Sequence, residues 1–567
     1  MKYKLIGDGS LDNVTTTILN NRGIQDIDKY LHLSMSDIED YNDLDNIEQA
    51  VECFNNHFDK KDIIGILVDT DPDGVCSAAM MFNYIRHLDS EYPVYLMVHE
   101  SNKAHGLQSN DFNIKDNTKL IICPDSSTND IDECEQLVKN GIDVIIADHH
   151  EKSDDRDSLA IILNNQTSER YYNKNACGTH VTWDFIRALD NYYWTDYSDL
   201  CLDLVAFANI SDNMDMTSIS TRATINIGLD NVTNQMLEKI IEAQSFFLKD
   251  GLTPHSVSFS ITPLLNAFLR LATYEERVLL MKAFCGIDNE TFEYTKRGDV
   301  FPIEENIYEH MVRLIKSYKG KQDRMRDKAL PILLKEAEKQ IDNKVIMLSS
   351  DGIIDKSLNG LIAIRISDAL HRPVLVGKQM NNGNFGGSGR NFDHSPIENL
   401  RDVVSRCPYC VLSQGHASAH GFEVTDVGKT IEWFNSELSD VDMTKVYLCD
   451  FIFQSDEINA DFIKSIDDLA WLFGTGLKEP KVAIENIHLN KDDIDLCGKN
   501  MDTIKFKIGD IEFIQFKTSE GNPLYDYVNS WDDTDCTINI NAVVKCSLNE
   551  YDGVVTPQCK LIEVEVV

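Results

Sequence analysis

The chain has 567 residues, 43% of them hydrophobic, and a formal net charge of −40. That length exceeds what one core normally sustains, so two to four domains are expected. The charge excludes a broadly cationic, duplex-coating surface, while leaving open a local groove that attracts phosphate through bound metal ions.

Fourteen cysteines at irregular spacing predict mostly buried thiols in a reducing compartment. With no signal-peptide start and no apolar stretch of membrane-spanning length, the sequence predicts a soluble, cytoplasmic protein that does not engage a membrane. Cys407-Pro-Tyr-Cys410 is the one C-x-x-C, and it lacks both a thioredoxin unit around it and a second cysteine pair for a zinc knuckle.

In chain order, residues 1–228 alternate short apolar runs with helical segments, including Cys76 to His87, as βαβ units with a parallel sheet do. Residues 229–343 predict a helical connector without strong strand signals, with amphipathic stretches at Glu275–Phe284 and Ile303–Ser317. It carries a basic run: Arg313, Lys316, Lys319, Lys321, Arg324, Arg326 and Lys328. Two readings stand, a solvated helix face and a phosphate-backbone track.

Residues 344–430 return to strand-like segments at Lys344–Ser349, Gly360–Ile366 and Pro373–Gly377. The passage Gly383-Asn-Phe-Gly-Gly-Ser-Gly-Arg390 is read as a turn open to close backbone approach. With Gly415-His-Ala-Ser-Ala-His-Gly421 it predicts a phosphate or base pocket. Residues 431–567 carry short strand candidates at Lys505–Ile508, Glu512–Phe516 and Thr537–Val543, which fit a small oligonucleotide-binding type of β-barrel. Phe506, Phe513, Phe516, Tyr525 and Tyr527 include its candidate base-stacking residues, although several must fill the core.

The chemistry concentrates where apolar runs end in carboxylates. Asp69, Asp71 and Asp73 follow Ile63–Val68, Asp125 follows Leu120–Cys123, Asp148-His149-His150 follows Val144–Ala147, and Asp212 follows Leu204–Ile210; all four runs are read as strands. Three aspartates in five residues exceed the needs of a helix cap. Crowded like charges call for divalent cations, and oxygen donors with one imidazole suit Mn²⁺ or Mg²⁺ rather than structural zinc.

Two such ions would sit about 3.5–4 Å apart. The assignment places Asp71 on one ion, Asp73 and His149 on the other and Asp125 between both, with Asp212 completing a shell. Asp69 is a ligand or an orienting group, Asp148 orients a ring, and His150 meets the substrate phosphate or moves protons. Hydrolysis of a phosphoester or phosphoanhydride fits. No Walker loop or calcium-binding loop is present.

Asp69-Thr-Asp-Pro-Asp-Gly74, Pro124-Asp125, Asp148-His-His150 and Ser211-Asp212 resemble the successive signatures of DHH phosphoesterases, most closely the RecJ-type single-strand-specific exonucleases. Gly360 to Val374, Gly387-Ser-Gly-Arg390 and Gly415 to Gly421 resemble the DHH-associated substrate domain. Phe473-Gly-Thr-Gly-Leu-Lys-Glu-Pro480, Gly498-Lys499 and Ile504-Lys-Phe506 resemble the oligonucleotide-binding module of the same enzymes.

The resemblance implies an α/β chain: a DHH parallel-sheet domain, a helical connector, a smaller DHH-associated α/β domain and a C-terminal OB-like barrel. It implies a 5′→3′ exonuclease releasing 5′-mononucleotides from single-stranded DNA with two Mn²⁺ or Mg²⁺ ions, in repair, recombination or replication. A helicase or single-strand-binding protein is the implied partner class.

By motif, metal roles pass to Asp71, Asp73, Asp125, His149 and Asp212, and a place near the scissile phosphate to His150. Substrate roles pass to Gly387, Ser388, Gly389, Arg390, Gly415 and His416. Departures occur at Ser413-Gln414 before Gly415-His416, at Leu477, and in His99 to Leu107. With the Asn- and Asp-rich composition they point to a phage or mobile-element relative in a bacterial host, or to a divergent bacterial protein. The competing functions are a nanoRNA or cyclic-dinucleotide phosphodiesterase, a manganese pyrophosphatase and a noncatalytic replication or repair scaffold.

Overall fold

The chain opens with a short strand, β1 (Lys2–Leu5), whose parallel partner lies far along the sequence. The computed structural model describes every residue except 103, 154–155, 249–250, 297, 531–536 and 552. Two units result. Asn13–Lys319 with Asp468–Glu479 form the first, and Met1–Asp12, Gly320–Asp467 and Pro480–Val567 form the second.

The first unit is built on β2 (Ile63–Val68), β3 (Val94–Val98), β4 (Thr118–Pro124), β5 (Asp143–Asp148) and β6 (Ile161–Asn164). They form one parallel sheet in the order β3-β2-β4-β5-β6. Both faces are covered, which is why these strands are nearly continuous apolar runs. Ile64, Ile66 and Val68 join one core, whereas Leu67, Ile121 and Ile146 join another. From β2 the chain steps to β3 on one side and then crosses to β4 on the other, so a crevice opens at the carboxyl ends of β2 and β4.

Leu204–Ile210 is not a strand. It lies in the helix Leu202–Ser211, and Asp212 is its C-cap. The helix is buried on every side, so its apolar run carries no helical period to separate it from a buried strand. The neighbouring helix Ile219–Asp230 lies against it, with a Cβ at Gly228 only 2.1 Å from the Leu202 carbonyl oxygen.

The connector holds helices at Thr262–Leu271 and Tyr274–Phe284, and also strands that the sequence did not signal. β7 (Thr291–Tyr294) and β8 (Ile303–Asn306) pair antiparallel, so Ile303 begins a strand and the helix starts at Ile307. That helix, Ile307–Glu338, bears the basic run. Arg313 is engaged by Glu305 and lies 4.0 Å from the Tyr294 ring centroid, Lys316 donates to the Ala243 carbonyl, and Arg326 pairs with Asp323 and Asp327. Those three cations serve the fold.

The second unit contains a mixed sheet of β9 (Ile346–Ser349), β10 (Val374–Gln379), β11 (Phe385–Arg390), β12 (Cys410–His416) and β13 (Ala419–Val424) in the order β12-β13-β11-β10-β9. Gly360–Ile366, expected as a strand, lies within the helix Asn359–Leu370; burial of Ile362, Ala363, Ile366 and Ser367 follows a helical face. The glycine-rich passage, expected as a turn, is largely β11. Its glycines answer crowding: a Cβ on Gly387 would stand 2.0 Å from the Val376 carbonyl oxygen.

β14 (Val446–Cys449) receives β1. Beyond it lies a sheet in the order β15-β16-β20-β21-β19-β18-β17. Its strands are β15 (Phe451–Gln454), β16 (Val482–Asn490), β17 (Asp495–Cys497), β18 (Thr503–Ile508), β19 (Ile511–Gln515), β20 (Thr537–Tyr551) and β21 (Val554–Val566). Phe506 and Phe513 stack on each other in its interior, which removes them as base-stacking candidates; Phe516 is exposed.

The strip Asp468–Glu479 belongs with the first unit. Arg222, fully buried, donates to the carbonyls of Leu472 and Trp471 at 2.9 Å and faces the Trp471 ring. Gly476, at φ +78°, presses on Asp215. Among the described residues, no helix is long and apolar enough to cross a membrane.

Because Gly228 lets two helix backbones touch, Gly228→Ala should cost about 1–3 kcal/mol by overpacking. A lowered urea midpoint at unchanged slope checks it.

Candidate metal centre

The loop after β2 is shaped by its own side chains. Asp71 caps the helix Pro72–Leu88 by accepting from the Gly74 amide at 2.9 Å, with Pro72 in the first turn where its missing N–H costs nothing. Gly74 has no alternative residue, since a Cβ there would stand 2.4 Å from the Asp69 Cβ. Asp73 reaches the start of another helix, Gly178–Tyr193, accepting from the Gly178 and Thr179 amides at 2.8 Å and from the Thr179 hydroxyl. That helix N-terminus favours the carboxylate.

Asp125 follows β4 in the left-handed region, at φ +61°, a conformation that Asp tolerates better than most residues. Its amide donates to the Ala147 carbonyl, and a Cβ on Gly178 would stand 2.3 Å from its Oδ1. Gly178 thus serves two aspartates at once. Nothing in its local sequence signals this, because the contact joins elements remote in the chain.

Asp148 ends β5 and is fully buried. Its Oδ1 accepts from the His149 amide at 2.7 Å and lies 2.7 Å from His150 Nδ1; its Oδ2 accepts from the Thr128 amide. His149 projects into the centre of the cluster. Its Nε2 is 3.3 Å from Asp125 Oδ1, 3.5 Å from Asp212 Oδ2 and 3.8 Å from Asp73 Oδ2.

Potential ligand atoms gather in overlapping sets: Asp69, Asp71 and Asp125; Asp73, His149 and Asp212; and Asp125, Asp148, His149 and His150. The structure therefore brings together all eight residues that the sequence singled out in this unit. It adds two. His105 Nδ1 lies 2.9 Å from Asp69 Oδ2, with its ring 4.9 Å from that of His150. Arg270, on the helix Thr262–Leu271, places a cation in electrostatic reach of Asp71. His105 falls in the loosely matched segment after β3; Arg270 arrives from a connector helix with no motif around it.

Burial and then the charges of Asp69 and Asp73 push Asp71 up to about 7. Burial and neighbouring aspartates likewise hold Asp125 and Asp212 well above the ordinary carboxylate range. Asp148 differs: burial opposes its ionisation, but the charge and hydrogen bond of His150 outweigh it and hold the carboxyl far below its usual value. Burial also opposes charging of His150 and His105, yet Asp148 raises the first to about 10 and Asp69 the second to about 9.

These groups fit a divalent ion. Asp69 Oδ1, Asp125 Oδ1 and Asp212 Oδ2 are buried without a hydrogen-bond partner, a costly state for an acceptor unless a cation meets it. The donors are carboxylate oxygens with one central imidazole, a set for Mn²⁺ or Mg²⁺.

The second unit holds the remaining predicted site residues. Gly387, Ser388, Gly389 and Arg390 lie along β11, while Gly415 and His416 end β12, so the strand pairing gathers them in one sheet. Gly389 is required by the buried His420 ring, which would lie 2.6 Å from its Cβ, and a Cβ on Gly360 would stand 2.6 Å from the Arg390 guanidinium. His420 is buried with neither ring nitrogen hydrogen-bonded. Burial and then Arg390 and Arg401 lower it to about 4. Arg401 pairs with Asp402 and donates to the Gly415 carbonyl, and Arg390 donates to the Gly389 carbonyl.

A model of the DHH family, N-terminal domain, matches residues 63–208, and a model of the RecJ OB domain matches residues 449–563. YorK, an SPbeta prophage-derived protein of Bacillus subtilis, is 32% identical over the whole of this chain and 98% of its own; its name, single-strand DNA-specific exonuclease, is provisional. The chain belongs to the DHH family, in its RecJ-like branch. The single-stranded-DNA-specific exonuclease RecJ of Bacillus subtilis is 24% identical over 84% of this chain and 59% of that protein. In fold, this RecJ-like chain resembles RecJ of Thermus thermophilus in complex with Mn²⁺, with a TM-score of 0.72 at 16% identity, covering 97% of this chain and 75% of that one.

In the metal-free RecJ-like protein, the raised carboxyls keep protons that the unfolded chain has already released. Stability should therefore fall as pH rises from about 4 to about 7, and saturating Mn²⁺ should flatten the fall. Urea midpoints across that range, with EDTA and with Mn²⁺, make the comparison; equal slopes in the two series would contradict it.

Proposed function

We propose that this enzyme is a metal-dependent 5′→3′ exonuclease that hydrolyses single-stranded DNA to 5′-mononucleotides. The observation that carries the reading is the convergence of Asp69, Asp71, Asp73, Asp125 and Asp212 around His149, with three buried carboxylate oxygens left without hydrogen bonds. The full-length likeness to a protein named as a single-strand DNA-specific exonuclease supports the substrate. Polarity rests on the RecJ family resemblance.

Asp71, Asp73, Asp125, His149 and Asp212 would hold two ions, with Asp125 placed to serve both. Bound Mn²⁺ or Mg²⁺ supplies charge neutralisation at the scissile phosphate and acidifies the attacking water. Asp69 orients His105, and Asp148 orients His150 while sustaining its positive charge. His150, partly exposed, then donates to a phosphate oxygen or carries a proton. Arg270 offers a further cation to the phosphate. Gly387, Ser388, Gly389, Arg390, Gly415 and His416 would bind the strand's phosphate in the second unit, with close backbone approach permitted by the glycines.

The division into a catalytic domain (1–228), helical connector (229–343), substrate-binding domain (344–430) and nucleic-acid-binding domain (431–567) is part of the same proposal. So are action in the cytoplasm of a bacterial cell or infected host and cooperation with a helicase or single-strand-binding protein.

Long single-stranded DNA labelled separately at each end, digested with Mn²⁺ beside duplex, RNA and dinucleotide controls, tests the reading. Early release of the 5′ label as mononucleotide with late loss of the 3′ label is expected. Activity on the dinucleotide alone would move the assignment to a small-substrate phosphodiesterase, and no hydrolysis at all would favour the scaffold.

Asp125→Ala should lower turnover at least about 10²-fold, as removal of a charge-stabilising group does, with the circular dichroism spectrum unchanged. Near-normal turnover would overturn its role. His416→Ala should raise KM while Mn²⁺ binding stays intact; loss of bound Mn²⁺ in that variant would refute a substrate-binding role.

A further inference from the structure

The opposite end of the parallel sheet carries a second cluster of donor atoms. Cys53 and His57 lie one turn apart on the helix Ile47–Lys60, so their side chains share a face. Asp143 begins β5, and Asp62 immediately precedes β2. The sulfur of Cys53, a ring nitrogen of His57 and a carboxylate oxygen of Asp143 lie within 4.8 Å of one another. They line a surface cavity of about 290 Å³, together with Glu52, Asn56 and Lys60.

Both ring nitrogens of His57 face carboxylates. Its Nδ1 lies 2.8 Å from Asp62 Oδ2, and its Nε2 lies 3.0 Å from Asp143 Oδ2. A metal ion would displace the proton that Nε2 shares with Asp143, while the Nδ1 proton, donated to Asp62, would orient the ring as a carboxylate does for a ligand histidine. His57 is nearly buried and Cys53 half-buried, whereas Asp143 is exposed, so two ligands are fixed and the third can adjust.

We propose that Cys53, His57 and Asp143 form a Zn²⁺-binding site, with water or Glu52 in the fourth position. Sulfur, imidazole nitrogen and one carboxylate are zinc donors, in contrast to the oxygen-rich cluster at the other end of the sheet. Binding forms a zinc–sulfur bond and releases the thiol proton to solvent. Because binding displaces that proton, uptake of zinc should fall with acid. The bound ion would tie the helix Ile47–Lys60 to the start of β5. The competing account is a histidine hydrogen-bonded between two carboxylates, which has no use for the thiol.

The full-length protein is titrated with Co²⁺ as a spectroscopic stand-in for zinc. A thiolate-to-cobalt charge-transfer band in the near ultraviolet is expected; it should persist in Asp125→Ala and vanish in Cys53→Ser, which should digest DNA at the unaltered rate with Mn²⁺. Asp62→Asn should weaken Zn²⁺ binding about 10–100-fold in competition with a chromophoric chelator. A wild-type protein saturated with Co²⁺ but lacking the band, or a band that survives Cys53→Ser, overturns the proposal. Should Cys53→Ser fail to fold, Asp143→Asn at the exposed ligand takes its place, and Zn²⁺ affinity equal to wild type would refute the site.

Discussion

Mutual repulsion among carboxylates confined in a water-poor crevice governs this molecule. Five aspartates around one imidazole cannot all ionise without compensation, and the fold supplies only part of it: amides at Gly74, Gly178 and Thr179, a helix N-terminus, and the histidines His105 and His150. The remainder is left for divalent cations. A site built this way is preorganised by what it lacks, and the two glycines that let backbone approach Asp69 and Asp125 keep the carboxylates from relaxing apart.

The parallel sheet makes such confinement achievable. Where the strand order reverses, successive loops leave in opposite directions, and the ends of β2 and β4 can place acidic side chains together without a long insertion. Elements from farther along then complete the wall. The C-cap of a wholly buried helix delivers Asp212, and the start of the helix Gly178–Tyr193 neutralises Asp73. The same helix terminus thus supports a ligand electrostatically and, through Gly178, makes room for another.

Much of this is legible in the chain. Apolar runs ending in aspartate locate β2, β4 and β5, and the recurrence of acidic residues identifies the cluster, because strand pairing in a doubly covered sheet leaves a strong compositional trace. Leu204–Ile210 and Gly360–Ile366 pass for strands for opposite reasons. The first is buried all round and has no period; the second has a helical face that a short β-branched run disguises. The glycines of β11 look like a turn because their purpose, close packing against Val376 and His420, is tertiary. Arg270 and Gly178 leave no trace in the sequence near the motifs, since each meets the cluster through contacts between distant segments.

The placement of Asp468–Glu479 bears on modularity. Although this strip is flanked on both sides by residues of the second unit, it closes over Arg222 with the carbonyls of Trp471 and Leu472. The nuclease core is consequently not a contiguous stretch of the gene. A fragment ended at the connector would deprive the Arg222 guanidinium of both carbonyl acceptors. A cut at that boundary would therefore remove part of the first unit's own packing.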